Sequence, residues 1–139
     1  MERFVVRCYH SLAMQRDADD VEFIFVNDGS SDNTLSILRE IKTKDKRVVI
    51  IDQNNAGVSV ARNSALAIAK GEYVYLLDGD DYLTIDAIFE IKQLLRCYKH
   101  DIIMSAYNIS KNNKEIFKPL PFSEGVYGIK DFWANISIF

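Results

Sequence analysis

Short, unbroken apolar runs alternate along the chain with stretches in which apolar residues recur every three or four positions. A run of roughly four to eight β-branched, aliphatic and aromatic residues is typical of a buried strand, whereas the wider spacing is typical of an amphipathic helix. The runs predict strands at residues 21–26, 47–52, 73–77 and 101–107. The spaced stretches predict helices at residues 3–15, after Asp32, at residues 58–70 and after Thr84.

Polar and glycine residues at the ends of these stretches predict the helix boundaries. Asp32 and Thr84 carry side-chain oxygens that can accept the unpaired N–H groups of a first helical turn. Gly71 is expected to end the third helix. The apolar faces of the second and fourth helices carry Ile37, Leu38, Ile41, Ile88, Ile91, Leu95 and Tyr98.

Strands of unbroken apolarity that alternate with helices predict an α/β fold, in which a doubly wound, mostly parallel sheet carries helices on both faces. The length of 139 residues suits one domain, residues 1–139, with a core at residues 1–107. Residues 108–139 are less regular: residues 110–115 read as a turn, two prolines follow, and residues 128–139 begin a helix.

Composition and charge narrow the class of protein. Apolar residues make up 48% of the chain and the net charge is −3, so no basic field is available for nucleic acid. No apolar run approaches the ~20 residues that span a bilayer, and the charged start is not a signal peptide. Cys8 and Cys97 have no metal-ligand spacing, which predicts buried thiols in a reducing compartment.

Candidate chemistry follows three of the predicted strands. Asp28 follows the first strand, the turn at residues 54–57 follows the second, and Asp78 and Asp80 follow the third. Taken singly, each of these features can be explained by structure alone, as a polar turn, a helix start or a hydrophilic loop. Arg62, taken by itself, can be explained as a solvent-exposed helix residue. Because ligands of open α/β sheets bind beyond the carboxyl ends of the strands, the convergence of these loops predicts a ligand site.

The stretch YVYLLDGDDYL at residues 73–83 crowds three carboxylates, Asp78, Asp80 and Asp81, into four positions. Like charges this close repel one another, so the cluster costs stability unless a positive charge lies among them. Hard oxygen ligands at alternate positions suit Mg²⁺ or Mn²⁺, which typically shares one or two protein carboxylates with substrate phosphates. The cluster therefore predicts a site for a divalent metal and a phosphate-bearing ligand.

Three segments, VNDGSSDNT, NNAGVSVARN and YLLDGDD, in this order and at these intervals, resemble the nucleotide-binding half of the family 2 glycosyltransferases. The resemblance covers residues 3–107 and implies the GT-A fold, a Rossmann-like α/β fold. It implies transfer of a sugar from a nucleotide-diphosphate donor, expected to be a UDP-sugar, to a glycan or lipid-linked acceptor with inversion. Residues 108–139 would begin the acceptor side. The expected location is cytoplasmic, with peripheral attachment at the inner face of the membrane as a variant.

The resemblance also assigns a role to each candidate residue. Asp28 matches the acid that binds the nucleobase, and Arg62 matches a basic residue near the base or the diphosphate. Asp78 and Asp80 match the two acids of the DXD motif: the first faces the ribose, and the second coordinates the Mn²⁺ or Mg²⁺ that bridges the diphosphate. Asp81 is expected only to begin the following helix.

Two features depart from the family pattern. Family members usually begin with a strand that lies at the centre of the sheet, whereas the predicted elements of this sequence begin with the first helix. This predicts a truncated fold in which sheet edges are unpaired. Three alternatives stay open for the central strand. Residues 1–6 could partly substitute for it, another chain could supply it through homo-oligomerisation, or an upstream segment could supply it. In addition, no residue matches the family's catalytic base, because Glu124 and Asp131 come too early. The catalytic residue is therefore unassigned.

Two other functions fit the same residues. The first is a non-catalytic fragment that binds a nucleotide-sugar and a metal, which the unmatched base favours. The second is a sugar nucleotidyltransferase or phosphatase of similar build, against which stands the lack of a lysine-bearing glycine loop or a nucleophile motif. A transfer assay with acceptors and an assay with nucleoside triphosphate plus sugar phosphate distinguish these possibilities.

Overall fold

Helices and strands alternate through most of the chain. The structure, a computed structural model, describes residues 1–97, 101–111, 114–120 and 125. The chain divides into two compact units, Met1–Lys99 and His100–Phe139. No helix among the described residues is both long and apolar enough to cross a membrane. The elements are α1 (Glu2–Ala13), β1 (Phe23–Asp28), α2 (Thr34–Lys44), β2 (Val48–Gln53), α3 (Val58–Leu66), α4 (Ala87–Cys97), β3 (Tyr107–Lys111) and β4 (Lys114–Lys118).

The first unit is built on a parallel pair of strands. β1 pairs with β2 from Phe23 opposite Val48 to Asp28 opposite Gln53. Parallel strands need a crossover connection, and α2 supplies it and packs against both strands. The α/β class, with a parallel sheet and packed helices, is therefore confirmed. Because the two strands run in the same direction, Asp28 and Gln53 end at the same edge of the sheet.

The core lies between this sheet and the helices. Phe23, Ile41 and Val48 form a buried cluster, and Leu38 of α2 is only 2% exposed. Partly buried apolar residues pack against the cluster from α1, α2, α4, both strands and the loop before β1: Tyr9, Leu12, Val21, Phe25, Ile37, Ile50 and Ile88. Burial of these side chains stabilises the sheet and therefore holds in place the loops that follow its strands.

The strand predicted at residues 73–77 is wrong, because the structure has no strand there. The apolar side chains of residues 73–76 are 41–55% exposed. A strand needs a neighbour to bond its backbone N–H and C=O groups, and within the described residues β1 pairs only with β2. The apolar pattern of this segment is that of a strand, but none of the described residues pairs with it.

Residues 1–6 do not substitute for a first strand. They belong largely to α1, and the N–H groups of Phe4 and Val5 donate to the carbonyl of Met1 as in a helix. That alternative is therefore wrong. A strand from another chain and a strand from an upstream segment both stay predictions.

The starts of α2 and α4 differ from the predicted positions. The N-cap of α2 is Asn33 rather than the predicted Asp32, although Asp32 accepts bonds from the Thr34 N–H (3.1 Å) and hydroxyl (2.5 Å) at the start of the helix. The cap predicted at Thr84 is wrong, because α4 begins beyond it. The Gln15 side chain caps α4 instead, with Oε1 accepting the Ile88 N–H at 3.0 Å. Gln15, which is distant in sequence, thus caps the helix in place of the neighbouring Thr84.

The end of α3 also differs from the prediction. The helix ends at Leu66 rather than at Lys70, and Gly71 does not adopt the left-handed conformation of a typical helix end. The Lys70 N–H donates to the Glu22 carboxylate at 2.5 Å, which ties this stretch to the residue before β1. The chain after α3 is therefore held by a contact between segments distant in sequence rather than by the predicted glycine cap.

The two cysteines have opposite environments. Cys8 is buried as predicted, and burial, followed by the charge of Asp81, raises the pKa of its thiol to about 11. Cys97 is exposed, so the prediction of a buried thiol is wrong there, because it is the last residue of α4. Cys8 therefore stays protonated at neutral pH and acts as a small apolar side chain.

The second unit contains an antiparallel hairpin. β3 pairs with β4 from Tyr107 opposite Lys118 to Lys111 opposite Lys114, and all of its residues are exposed. The strand predicted at residues 101–107 is therefore displaced along the chain, whereas the connection between β3 and β4 falls within the turn predicted at residues 110–115. The predictions for Tyr98, Pro121, Glu124, Asp131 and the helix at 128–139 lie outside the described residues.

Candidate functional site

The loops that follow β1 and β2 come into close contact. Gly29 has a φ of +72°, and a Cβ atom built on it would lie 2.7 Å from the backbone nitrogen of Asn55. Only glycine combines this left-handed conformation with so close an approach. The DGSSD loop and the turn after β2 are thus packed together backbone to backbone.

The carboxylate of Asp28 holds the turn after β2. Its Oδ1 accepts from Gln53 Nε2 (2.8 Å) and from the Ala56 N–H (2.9 Å), and its Oδ2 accepts from the Gly57 N–H (2.9 Å). The bond from Gln53, followed by the backbone bonds, lowers the pKa of Asp28 below its ordinary value. A carboxylate has about four acceptor sites, so these three bonds leave one free on Oδ2.

Replacing Asp28 by alanine is expected to loosen the start of α3. The N–H groups of Ala56 and Gly57 lose their acceptor, so their hydrogen exchange should accelerate about five- to tenfold, as for a lost helix cap. Folding lowers the pKa of Asp28. The contribution of these bonds to stability is therefore fully present at any pH above the ordinary pKa of an aspartate, and it is lost as the pH falls through the lowered pKa. Amide exchange measured by NMR checks this.

The Asp28→Asn variant is the matched comparison for this prediction. It keeps one side-chain carbonyl oxygen but no charge, so its exchange rates should fall between those of the wild type and of the alanine variant. Unchanged exchange at Ala56 and Gly57 in the alanine variant would show that Asp28 does not hold the turn.

Arg62 and Asp78 meet across sixteen positions of sequence. Arg62 lies on α3, which begins directly after the turn held by Asp28, and its Nη2 donates to Asp78 Oδ1 at 2.8 Å. Both side chains are about half exposed, at 44% and 56%. An exposed pair of this kind stabilises a fold by only about 0–1 kcal/mol. Its value lies in placing a cation and a carboxylate side by side within reach of a ligand.

The segment Asp78–Asp81, here called the carboxylate loop, forms a turn in which the Asp81 N–H donates to the Asp78 carbonyl at 3.0 Å. Burial, followed by the charges of Asp80 and Asp78, raises the pKa of Asp81. The Asp80 side chain is exposed, and its carboxylate has no hydrogen bond or ion pair within the described residues. The repulsion predicted from the sequence is therefore present; the nearby Arg7 guanidinium offsets it only in part, and a further cation would relieve it.

The carboxylate oxygens at this site suit a metal ion that is held jointly by the protein and by a bound ligand. In the described part of the chain, no three His, Cys, Asp or Glu side chains are grouped to hold a metal by themselves. Mg²⁺ and Mn²⁺ commonly take only one or two protein carboxylates and complete their shell with water and phosphate oxygens. Asp80 fits that pattern, and a metal held there would neutralise charge on the phosphates of a ligand.

Helix N-termini add positive potential at this edge of the sheet. α3 begins here, and α1 and α2 begin beside one another: the Glu2 N–H donates to Asp32 Oδ2 (3.0 Å), and the Asn33 N–H donates to Glu2 Oε2 (2.9 Å). The first turn of a helix carries unpaired N–H groups and a partial positive charge. In this structure the protein's own carboxylates balance that charge: Asp32 and Glu2 do so at the starts of α1 and α2, and Asp28 does so at the start of α3.

Sequence reasoning missed two residues at this site. Gln53 contacts Asp28, and its position directly after a strand was a usable signal. Arg7 donates from Nη2 to the Asp80 carbonyl at 2.7 Å, but nothing in the sequence distinguished it from other polar residues of α1. Of the predicted site residues, Arg62 and Asp78 touch, Asp28 binds the turn after β2, and Asp80 lies two residues after Asp78 in the carboxylate loop.

The parallel strand pair, its crossover helix and the polar loops at the carboxyl edge define an α/β protein whose candidate site lies at the strand ends. The chain belongs to the glycosyl transferase family 2, whose sequence pattern matches residues 2–138. The resemblance stated from the three motifs is therefore confirmed. The mixed α/β structure is also consistent with a truncated GT-A fold.

Proteins that are similar to this chain in sequence include glycosyltransferases and synthases. Glycosyltransferase GlyA of Streptococcus pneumoniae is 30% identical over 139 residues, which is all of this chain and 20% of that protein. Poly(ribitol-phosphate) beta-glucosyltransferase of Bacillus spizizenii is 38% identical over 81% of this chain and 16% of its own length. Chondroitin synthase of Pasteurella multocida is 40% identical over 61% and 9%, respectively. The chain thus spans a small part of each relative.

Proposed function

We propose that this chain is the donor-nucleotide-binding portion of a glycosyltransferase. The complete enzyme would transfer a sugar from a nucleotide-diphosphate donor, a UDP-sugar, to a glycan or lipid-linked acceptor with inversion. Family membership supports the reaction class. The observation that carries the proposal is the Arg62–Asp78 pair beside the unpaired Asp80 carboxylate, because it presents a cation and metal-binding oxygens at one place.

Each residue has a role that its contacts support. The remaining acceptor site of Asp28 is suited to an N–H of the nucleobase, while the other three sites hold the turn. Arg62 uses one of its five N–H donors on Asp78, so the others can bind the diphosphate. Asp78 also reaches a ribose hydroxyl, and Asp80 binds Mn²⁺ or Mg²⁺. When bound, the metal stabilises the leaving diphosphate.

The acceptor side is proposed from the relatives alone. Their names include a chondroitin synthase and a poly(ribitol-phosphate) beta-glucosyltransferase, which favours a polymeric glycan or related acceptor here. Transfer with inversion needs a carboxylate base for the acceptor hydroxyl. No residue is assigned that role, so a fragment that binds the donor without turnover is the second candidate function. A transfer assay with acceptors separates the two.

The test is calorimetric titration of UDP, and separately GDP, into the protein with and without Mn²⁺. We expect UDP to bind with Mn²⁺ and to bind at least about tenfold more weakly without it, because the metal supplies charge that the carboxylates cannot. The titration with GDP tests the proposed preference for UDP, so GDP is expected to bind more weakly. If neither nucleotide binds in the presence of Mn²⁺, the proposed function is wrong for this chain.

A further inference from the structure

We propose that one face of α1 positions the carboxylate loop, and that Arg7 is the positioning residue for Asp80. This inference rests on the proposed function, because it explains how the metal-binding carboxylate is held. Arg7, Ser11 and Gln15 recur every fourth position, so the first two share one face of α1 and Gln15 continues that line just past its end. All three bond to the segment that begins at Asp78.

Arg7 fixes the loop at Asp80 itself. Its Nη2 donates to the Asp80 carbonyl at 2.7 Å, and its guanidinium carbon lies 4.7 Å from the centre of the Tyr82 ring and 5.6 Å from that of Phe4. Contacts with two aromatic rings restrict the side chain and favour its charge. The carbonyl that Arg7 holds belongs to the same residue as the metal-binding carboxylate, so the bond restricts the backbone from which that carboxylate projects.

Ser11 and Gln15 hold the chain as it leaves the loop. Ser11 Oγ accepts the Leu83 N–H at 3.1 Å. Gln15 Nε2 donates to the Thr84 carbonyl at 2.8 Å, and its Oε1 accepts the Ile88 N–H at 3.0 Å. Gln15 is only 8% exposed, so its bonds are shielded from water. The loop is thus anchored at Asp80 and again directly after it.

These anchors matter because the loop has no sheet behind it. Residues 73–77 precede it without forming a strand, so no backbone ladder sets the position of Asp78 or Asp80. A bound divalent metal requires its oxygen ligands within about 0.5 Å of the correct geometry. In this structure, hydrogen bonds from α1 supply that precision in place of a strand.

The test compares Arg7→Met with Arg3→Met. Both changes remove a guanidinium from α1, but within the described residues Arg3 contacts only the Phe4 ring (5.9 Å) and makes no bond to the carboxylate loop. In Arg7→Met we expect about tenfold weaker Mn²⁺ affinity at fixed UDP, with UDP affinity in the absence of metal unchanged. Amide exchange at Asp81 and Leu83 should accelerate. Arg3→Met should match the wild type, and Arg7→Lys should restore part of the Mn²⁺ affinity.

The outcomes separate this inference from the proposed function. If Arg7→Met weakens UDP binding equally with and without Mn²⁺, Arg7 contacts the nucleotide directly and the inference is overturned. It is also overturned if Arg7→Met and Arg3→Met have the same exchange rates at Asp81 and Leu83. Lack of UDP binding by the wild type would refute the proposed function, while the exchange rates would still decide whether Arg7 positions the loop.

Discussion

Replacing Asp80 by asparagine should abolish Mn²⁺-dependent binding of UDP while leaving the fold intact. The carboxylate is exposed and unpaired within the described residues, so the proposed role leaves it free for the metal. The amide is a neutral and much weaker ligand for a hard cation. We expect UDP to bind this variant no more tightly with Mn²⁺ than without it, which is a loss of at least about tenfold relative to the wild type. Calorimetric titration measures the loss.

The fold should tolerate this change, since no described bond depends on the Asp80 carboxylate. Its charge helps to raise the pKa of Asp81, so removing it relieves repulsion in the loop, and the melting temperature should stay the same or rise. Asp86→Asn is the matched control: Asp86 pairs with Arg16 at 3.3 Å outside the loop, and its positive φ suits asparagine. Equal UDP affinity in Asp80→Asn and wild type would refute the metal assignment.

Replacing Leu38 by alanine should destabilise the first unit by about 3 kcal/mol, because it removes a buried side chain and leaves a cavity. Leu38 is 2% exposed on α2, the crossover helix that packs against β1 and β2. Loss of this packing would loosen the strands whose ends carry Asp28 and Gln53. Urea unfolding followed by circular dichroism measures the change in the free energy of unfolding.

Leu94→Ala is the control for this experiment. Leu94 lies on α4 and is 47% exposed, so the same chemical change removes little buried area. Its effect should stay within about 0.5 kcal/mol. If the two variants unfold at the same urea concentration, the packing of α2 does not limit the stability of this unit.

The sequence predicted those elements whose signals are local. β1 and β2 lie within two residues of the predicted strands, and α1 begins within one residue of its predicted start. An apolar run or a helical repeat determines which side chains avoid water whatever lies elsewhere in the chain. The order of the three motifs was likewise sufficient to place the chain in its family.

Features that depend on a partner from elsewhere were not predictable in this way. The apolar segment at residues 73–77 has the composition of a strand but forms none, because pairing requires a neighbouring backbone. Gln15 caps α4 and Glu22 binds the Lys70 N–H across 73 and 48 positions of sequence, respectively. No local pattern encodes such a contact, since it depends on how the elements pack.

The sequence by itself therefore determined the α/β class, the family and the polar residues at the strand ends, because each rests on residue type and spacing. Tertiary structure alone decided how those residues are used. Asp28 binds the turn before α3, Arg62 reaches Asp78, and Arg7 holds the Asp80 carbonyl. Hydrogen bonds act over about 3 Å, so only packing that brings distant segments together can form them.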